Sequence, residues 1–170
     1  MELYLLRHGI AENIVPGQQA DSERSLTEEG IKKMQKAARG MKSFVDVFDT
    51  IISSPYLRAE QTARIVAEEY NCVSKLEQSK YFVPDTSIKK MLDHLDEQSF
   101  NDRVLIVGHE PSISALASYL IGIDRSVIEF KKGTMCRIDA DKVGFGKGFL
   151  VWHLQPKQIR SMSKKKDKGL

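Results

Sequence analysis

The sequence predicts one α/β domain, a three-layer sandwich in which helices flank a mostly parallel central sheet. Three observations support this fold class. Short continuous apolar runs indicate strands buried on both faces, segments with helical periodicity alternate with them, and two strand-like segments follow the last of these helices. A length of 170 residues suits a single domain of this kind.

Predicted strands and helices alternate along most of the chain. Apolar runs place strands at residues 2–7, 49–53 and 103–107, with a further short strand near 73–76. Apolar residues at helical spacing place helices at residues 27–43, 56–70, 88–95 and 111–122. This alternation favours parallel strands, because each helix returns the chain across a face of the sheet.

The C-terminal part of the chain has a different pattern. Residues 134–139 and 148–155 lie on either side of a glycine-rich turn, which predicts a β-hairpin at the edge of the sheet. After Pro156 the chain is polar and rich in lysine. We therefore expect a domain over residues 1–155 and a flexible basic tail over residues 156–170.

Charge and composition exclude several classes of protein. The net charge is +3, and the basic excess lies in the C-terminal tail, which argues against a folded nucleic-acid-binding face. No apolar run approaches the roughly 18 residues of a membrane span, and the N-terminus lacks the features of a signal peptide, so we expect a cytoplasmic protein. The two cysteines form no metal-binding motif, and we expect neither a metal nor a cofactor.

Arginine and histidine residues follow three of the predicted strands. The first strand delivers Arg7 and His8. The second is followed by Arg58 about one helical turn later, and the 103–107 strand leads to His109. Ligands collect beyond the carboxyl ends of strands in open α/β sheets, so these side chains are expected to converge. Two arginines and two histidines would suit an anion such as a phosphoryl group.

Three sequence blocks carry a family resemblance. The segments LLRHGIAE, SSPYLRAEQTA and VGHEP, in this order, resemble the motifs of the histidine phosphatase superfamily. The short chain and the element Arg24-Ser25-Leu26-Thr27-x-x-Gly30 look like the compact SixA branch, the phosphohistidine phosphatases. Ser25 stands where that branch usually has a proline.

The resemblance implies a role for each site residue. His8 would attack phosphorus and form a phosphohistidine intermediate, while Arg7, Arg58 and His109 would bind the phosphoryl oxygens, with a contribution from Arg24. Phosphoryl transfer depends mainly on positioning and charge stabilisation, which a cationic site can supply without a metal.

The general acid is the open point of this assignment. Glu110 directly follows His109 and is the candidate, although a carboxylate here would also be favoured simply by the N-terminus of the next helix. Asp85 is a second candidate. A phosphohistidine substrate needs little acid assistance, because a protonated imidazole leaves readily.

Three functions remain open at this level. The first is hydrolysis of phosphohistidine on a protein such as a phosphotransfer domain, by a monomer that binds neither nucleic acid nor membrane. The second is hydrolysis of a small phosphomonoester by the same nucleophile, and the third is a non-catalytic module that binds phosphate or a phosphoprotein. Retention of His8 disfavours the third, since binding alone needs no nucleophile.

Overall fold

The fold is a six-stranded sheet covered by helices on both faces. In the computed structural model, residues 1–15, 17, 19–97 and 103–163 are described. The strands are β1 (Glu2–Arg7), β2 (Thr50–Ser53), β3 (Leu76–Gln78), β4 (Arg103–Gly108), β5 (Met135–Ala140) and β6 (Gly148–Leu154). The helices are α1 (Glu28–Met41), α2 (Leu57–Glu69), α3 (Ile88–Leu95), α4 (Ser112–Leu120) and α5 (Pro156–Met162). Short 3-10 helices lie at Asp21–Glu23, Val73–Lys75 and Lys80–Phe82.

The sheet has the strand order β3-β2-β4-β1-β5-β6. The pairs β3–β2, β2–β4 and β4–β1 are parallel, whereas β1–β5 and β5–β6 are antiparallel. This arrangement confirms the predicted mostly parallel sheet with a C-terminal hairpin at one edge. It also places β1, which leads to His8, between β4 and β5.

Two hydrophobic cores explain why β1 is apolar throughout. Tyr4 and Leu6 point into a core shared with α1 and α2, and Leu3 and Leu5 point into a core shared with α3 and α4. All four side chains are buried. The alternation of side chains along a strand sends neighbours to opposite faces, so a strand covered on both sides has no polar face. The three predicted layers are therefore present.

Element boundaries differ from the sequence prediction by a few residues. The strand expected near residues 73–76 begins as the 3-10 helix Val73–Lys75, and pairing with β2 starts only at Leu76. Pro111, expected inside the first turn of a helix, is the residue that precedes α4. No helix among the described residues is long and apolar enough to span a membrane.

The expected boundary at residue 155 is not where the folded chain ends. Residues Pro156–Met162 form α5, which packs against α1 and buries Ile159 completely. The close packing depends on Gly40 of α1, because a Cβ at that position would lie 2.0 Å from the carbonyl oxygen of Ile159. The tail beyond residue 163 lies outside the described residues.

Candidate active site

The predicted strand ends meet at one edge of the sheet. Arg7 pairs with Gly108 in the β1–β4 ladder, and Ser53 pairs with Val107 in the β2–β4 ladder. The residues that follow β1, β2 and β4 therefore leave the sheet at the same edge. The ring centroids of His8 and His109 lie 5.1 Å apart.

His8 is buried and held in a defined tautomer. Its Nδ1 lies 2.7 Å from the carbonyl oxygen of Gly9, which can only accept a hydrogen bond, so Nδ1 carries the proton. Its Nε2 lies 3.2 Å from Nε of Arg58, which can only donate. Nε2 is therefore unprotonated, and its lone pair faces the guanidinium group.

The surroundings of His8 favour the neutral ring. Burial, followed by the nearby charge of a protonated His109, lowers the pKa of His8 from 6.5 to about 2. The imidazole is thus uncharged at neutral pH and keeps the lone pair that a nucleophile needs.

Arg58 is buried at the start of α2 and lies between His8 and the 3-10 helix Asp21–Glu23. Its Nη1 donates to the backbone oxygen of Asp21 at 2.7 Å, and its Nη2 donates to the Asp21 carboxylate at 2.9 Å. Its guanidinium carbon also lies 5.2 Å from the ring centroid of Tyr56. Three of its five N–H groups are thereby engaged, which fixes the plane of the guanidinium and leaves two for a ligand.

Arg24 joins the same network through Asp21. Its Nε lies 2.7 Å from the Asp21 carboxylate, and its Nη1 donates to the backbone oxygen of Glu12 at 2.9 Å. Burial acts to raise the pKa of Asp21, but the hydrogen bonds from Arg58 and Arg24 outweigh it and hold the pKa below its ordinary value. Asp21 was missed by the sequence analysis, because an acid in a polar loop carries no motif.

His109 is buried beside Ser54. Its Nε2 lies 2.8 Å from Ser54 Oγ, which already accepts the Tyr56 backbone N–H at 3.2 Å. The Ser54 hydroxyl has a proton that it can donate to Nε2, and in that tautomer the ring proton of His109 lies on Nδ1. This Nδ1 is buried and has no hydrogen-bond partner among the described residues. It is available as a donor to an anion in the site.

The charge state of His109 follows from the same environment. Burial, followed by the charge of Arg58, lowers the pKa of His109 from 6.5 to about 3. A neutral ring can donate only one proton, so the tautomer decides whether His109 faces a ligand as a donor. Ser54 lies in the SSPYLRAEQTA block, but no spacing or periodicity in the sequence links its hydroxyl to His109.

Arg7 extends the cationic site towards the segment that precedes β5. Its Nη1 donates to the backbone oxygen of Phe130 at 2.6 Å. Its Nε is buried without a partner among the residues that the structure describes. An unpaired buried donor costs free energy, which a bound oxyanion would offset.

Glu110 is half-buried at the start of α4. Both of its carboxylate oxygens lie 2.6 Å from the hydroxyl of Ser114, one helical turn further on. The contact holds the carboxylate near the N-terminus of α4, where the helix macrodipole favours a negative charge. Among the described residues, no hydrogen bond joins the Glu110 carboxylate to His8 or His109. Asp85, the second acid considered, is exposed and has a positive φ of 63°.

The remaining motif residues hold the site together. Gln61 accepts the backbone N–H of Leu26 at 2.7 Å, and Thr62 accepts that of Gly9 at 3.0 Å. Helix α2 thereby fixes both the Arg24 loop and the His8 loop. Gly30 allows α1 to pack against the His8 loop, because a Cβ at this position would lie 2.1 Å from the backbone oxygen of Ile10.

Comparisons with known proteins agree with this geometry. Residues 3–80 match the histidine phosphatase superfamily (branch 1). An uncharacterized protein of Picosynechococcus sp. is 32% identical over 120 residues, which cover 69% of this chain and 71% of that protein. Phosphohistidine phosphatase SixA of Escherichia coli is 24% identical over 162 residues, covering 94% of this chain and 97% of SixA.

The chain belongs to the histidine phosphatase superfamily. A solved structure of the protein histidine phosphatase SixA complexed with tungstate has the same fold, with a TM-score of 0.81 at 24% identity, over 92% of this chain and 98% of that chain. Within the superfamily the chain is SixA-like, and its family supports assignment as a phosphatase and hydrolase. The resemblance predicted from the three sequence blocks is therefore confirmed.

The site of this chain places the neutral side chain of His8 among guanidinium groups. This arrangement can attract an oxyanion, hold its oxygens and supply a lone pair to its central atom. Among the described residues, no group of three or more His, Cys, Asp or Glu side chains is arranged to hold a metal ion.

Proposed function

We propose that this chain hydrolyses phosphohistidine on a protein through a covalent phospho-His8 intermediate, with Arg7, Arg58 and His109 binding the phosphoryl group and Arg24 assisting. The observation that carries the proposal is the tautomer of His8. Its Nδ1 is tied to the Gly9 carbonyl, and its unprotonated Nε2 lies in a site of cationic and N–H donors.

In the first step, the lone pair of His8 Nε2 forms a bond to phosphorus, and the bond from phosphorus to the substrate imidazole breaks. The leaving imidazole keeps the electrons of that bond and takes up a proton. The attack needs no deprotonation of His8, because Nε2 is already a free base. In the free protein the N–H of Arg58 Nε donates to this lone pair. In the complex it would donate to a phosphoryl oxygen instead.

In the second step, water attacks the phosphorus of phospho-His8. The P–N bond breaks, inorganic phosphate leaves, and the lone pair returns to Nε2. The net reaction is phosphohistidine plus water to histidine plus phosphate. Glu110 remains the candidate to carry the proton in both steps, and its present contact with Ser114 would have to be exchanged for one with the substrate.

We further propose that no metal takes part. In this mechanism Arg7, Arg24 and Arg58 would neutralise the negative charge of the transferred group, which is the role a divalent cation plays in many other phosphoryl-transfer enzymes. Turnover in the presence of a chelator tests this part of the proposal directly.

A protein is the substrate we favour over a small phosphoester. SixA of Escherichia coli, which aligns with 94% of this chain, carries the name phosphohistidine phosphatase, and this supports a phosphohistidine substrate. A phosphohistidine also needs less acid assistance than an alkyl ester, which fits a site whose candidate acid is bound to Ser114.

The experiment compares phosphate release, in EDTA, from a phosphohistidine-bearing protein domain and from an aryl phosphate. Wild type is measured beside His8→Ala, Glu110→Gln and the surface control His153→Ala. We expect chelator-resistant turnover that favours the phosphoprotein, is lost in His8→Ala and survives in the control. In Glu110→Gln, turnover of the aryl phosphate should fall more than that of phosphohistidine if Glu110 is the acid.

Other outcomes would change the assignment. A preference for the aryl ester would keep the nucleophile and move the substrate to small phosphomonoesters. Turnover that disappears in EDTA would contradict the metal-independent mechanism. Tight binding of the phosphoprotein by wild type without any release of phosphate would support a binding module.

A further inference from the structure

A second cationic surface adjoins the active site. A cavity of about 470 Å³ opens beside Arg7 and Gly9. Six basic side chains line it: Arg7, Lys33, Lys131, Lys132, Lys157 and Arg160. We call this cavity the cationic pocket. Its size lies within the range of pockets that hold a ligand or a few side chains of a partner.

The cationic pocket is assembled from segments far apart in the sequence. Lys33 comes from α1, Lys131 and Lys132 precede β5, and the last two cations come from α5. Helix α5 is held there by the buried side chain of Ile159. The first part of the basic tail is therefore a fixed wall of this pocket.

Among the described residues, one of the six cations in the pocket forms an ion pair, and more distant carboxylates act on Arg160 and Arg7. Lys33 forms an ion pair with Glu29 at 2.5 Å. Within the described part of the chain, the other five cations have no carboxylate within 4.0 Å, and no acidic residue is among those lining the cavity. Burial, followed by the charges of Arg7, Arg24 and Arg58, lowers the pKa of Lys132. Such a group of like charges is stabilised by an anionic occupant.

Apart from the polar Gln155, the rest of the lining consists of apolar residues and glycines. Ile10, Met34, Ala37 and Pro156 contribute to it. A free inorganic anion would gain nothing from these groups. An aspartate or glutamate side chain on a polypeptide would place its carboxylate against the cations and its apolar atoms against this surface.

We propose that the cationic pocket binds an acidic segment of the phosphorylated protein substrate while the phosphoryl group occupies the neighbouring active site. This inference rests on the proposed function for the identity of the substrate. Arg7 borders both sites, so the two anionic groups would bind side by side. The pocket would then select among phosphohistidine proteins by the charge near the modified residue.

A binding measurement tests the pocket without catalysis. Full-length wild type, Lys157→Glu/Arg160→Glu and a control with the same charge change, Lys142→Glu/Lys147→Glu, are titrated with a hexaglutamate peptide at low ionic strength. Lys142 and Lys147 are exposed and do not line the pocket. We expect the pocket variant to bind about tenfold more weakly than the control, if each lost ion pair contributes about 0.7 kcal/mol. Equal affinity in the two variants would overturn the proposal.

Turnover separates this proposal from the proposed function. With phosphohistidine domains that carry an acidic or a neutral segment near the modified residue, wild type should prefer the acidic one, and Lys157→Glu/Arg160→Glu should lose that preference. If Lys157→Glu/Arg160→Glu turns over substrate with the same preference as wild type, the pocket proposal is overturned and the proposed function stands. If Lys157→Glu/Arg160→Glu loses peptide binding but wild type releases no phosphate, the pocket proposal stands and the proposed function is overturned. A preference only for small esters with a second anionic group would also overturn docking of a protein segment.

Discussion

The Nε–H of Arg58 donates a hydrogen bond to Nε2 of His8 across 3.2 Å. Both side chains are buried, and the arginine is held from its other side by Asp21. The atom that we propose attacks phosphorus is therefore in contact with a group that would bind the phosphoryl oxygens. This single contact positions the proposed nucleophile and a proposed phosphoryl-binding group relative to each other before any substrate binds.

Replacement of Arg58 by lysine should lower kcat by about 10²–10³, the usual effect of losing one well-placed donor to a transition state. Lysine keeps the charge but cannot bond His8 and Asp21 together through one planar group. Arg64→Lys is the matched control, because Arg64 lies on the exposed face of α2 and pairs with Glu60, away from the site. Steady-state kinetics on the proposed phosphoprotein substrate would check this. An Arg58→Lys enzyme within about threefold of the control would contradict the role assigned to the guanidinium.

Stability should fall on acidification because of His8 and His109. Both have folded pKa values, about 2 and about 3, below the ordinary 6.5. Between about pH 6.5 and pH 3 the unfolded chain therefore binds more protons, and each histidine lowers the free energy of unfolding by up to about 1.4 kcal/mol per pH unit. Above pH 6.5 neither contributes to the slope.

Urea unfolding of wild type, His8→Gln and the surface variant His153→Gln, at several values between pH 7 and pH 5, measures this slope. The His8→Gln protein should lose stability less steeply than the other two. Equal slopes in all three proteins would show that His8 titrates normally.

Ser54→Ala should reduce kcat by up to about tenfold, the effect of one hydrogen bond. Without the hydroxyl, Nε2 of His109 loses its partner, and the ring proton is no longer directed to Nδ1. Nitrogen chemical shifts of His109 should then change from one tautomer towards a mixture. Ser53→Ala is the control, since that buried hydroxyl donates to the backbone oxygen of Ser54 and forms no hydrogen bond with His109. An unchanged His109 tautomer in Ser54→Ala would refute this role.

Gly40→Ala should destabilise the protein even though alanine favours a helix by about 1 kcal/mol over glycine. The added Cβ would collide with the carbonyl oxygen of Ile159 and displace α5. Exposure of Ile159 would cost about 1.5–3 kcal/mol, so the net loss should be about 1 kcal/mol. Chemical unfolding measures it against Arg39→Ala, an exposed change on the same helix. A Gly40→Ala protein more stable than wild type would contradict this packing.

Local patterns in the sequence were sufficient to predict the sheet and the convergence of the residues that follow its strands. The apolar run of β1 indicated a strand buried on both faces, and the residues after β1 and β4 could be placed at one sheet edge without coordinates. The sequence blocks also carried the order of Arg7, His8, Arg58 and His109, which the structure brings together.

Contacts between distant segments could not be predicted in the same way. Asp21 becomes part of the site through an arginine 37 residues later, and no periodicity or spacing links the two. Helix α5 has a single fully buried apolar anchor, Ile159, and its position depends on a glycine in α1. A lysine-rich segment with one such anchor has the composition of a flexible tail.

The place of β1 in the sheet has a consequence for thermal inactivation. The backbone amide of His8 donates to the Gly108 carbonyl, and that of Arg7 donates to the Thr134 carbonyl, each at 3.1 Å. These bonds tie Arg7 and His8, the proposed nucleophile, to β4 and to the residue before β5, so the His8 amide should exchange with deuterium only when the sheet opens as a whole. Heating should therefore abolish activity together with global unfolding, with no earlier phase in which an intact fold has lost its nucleophile.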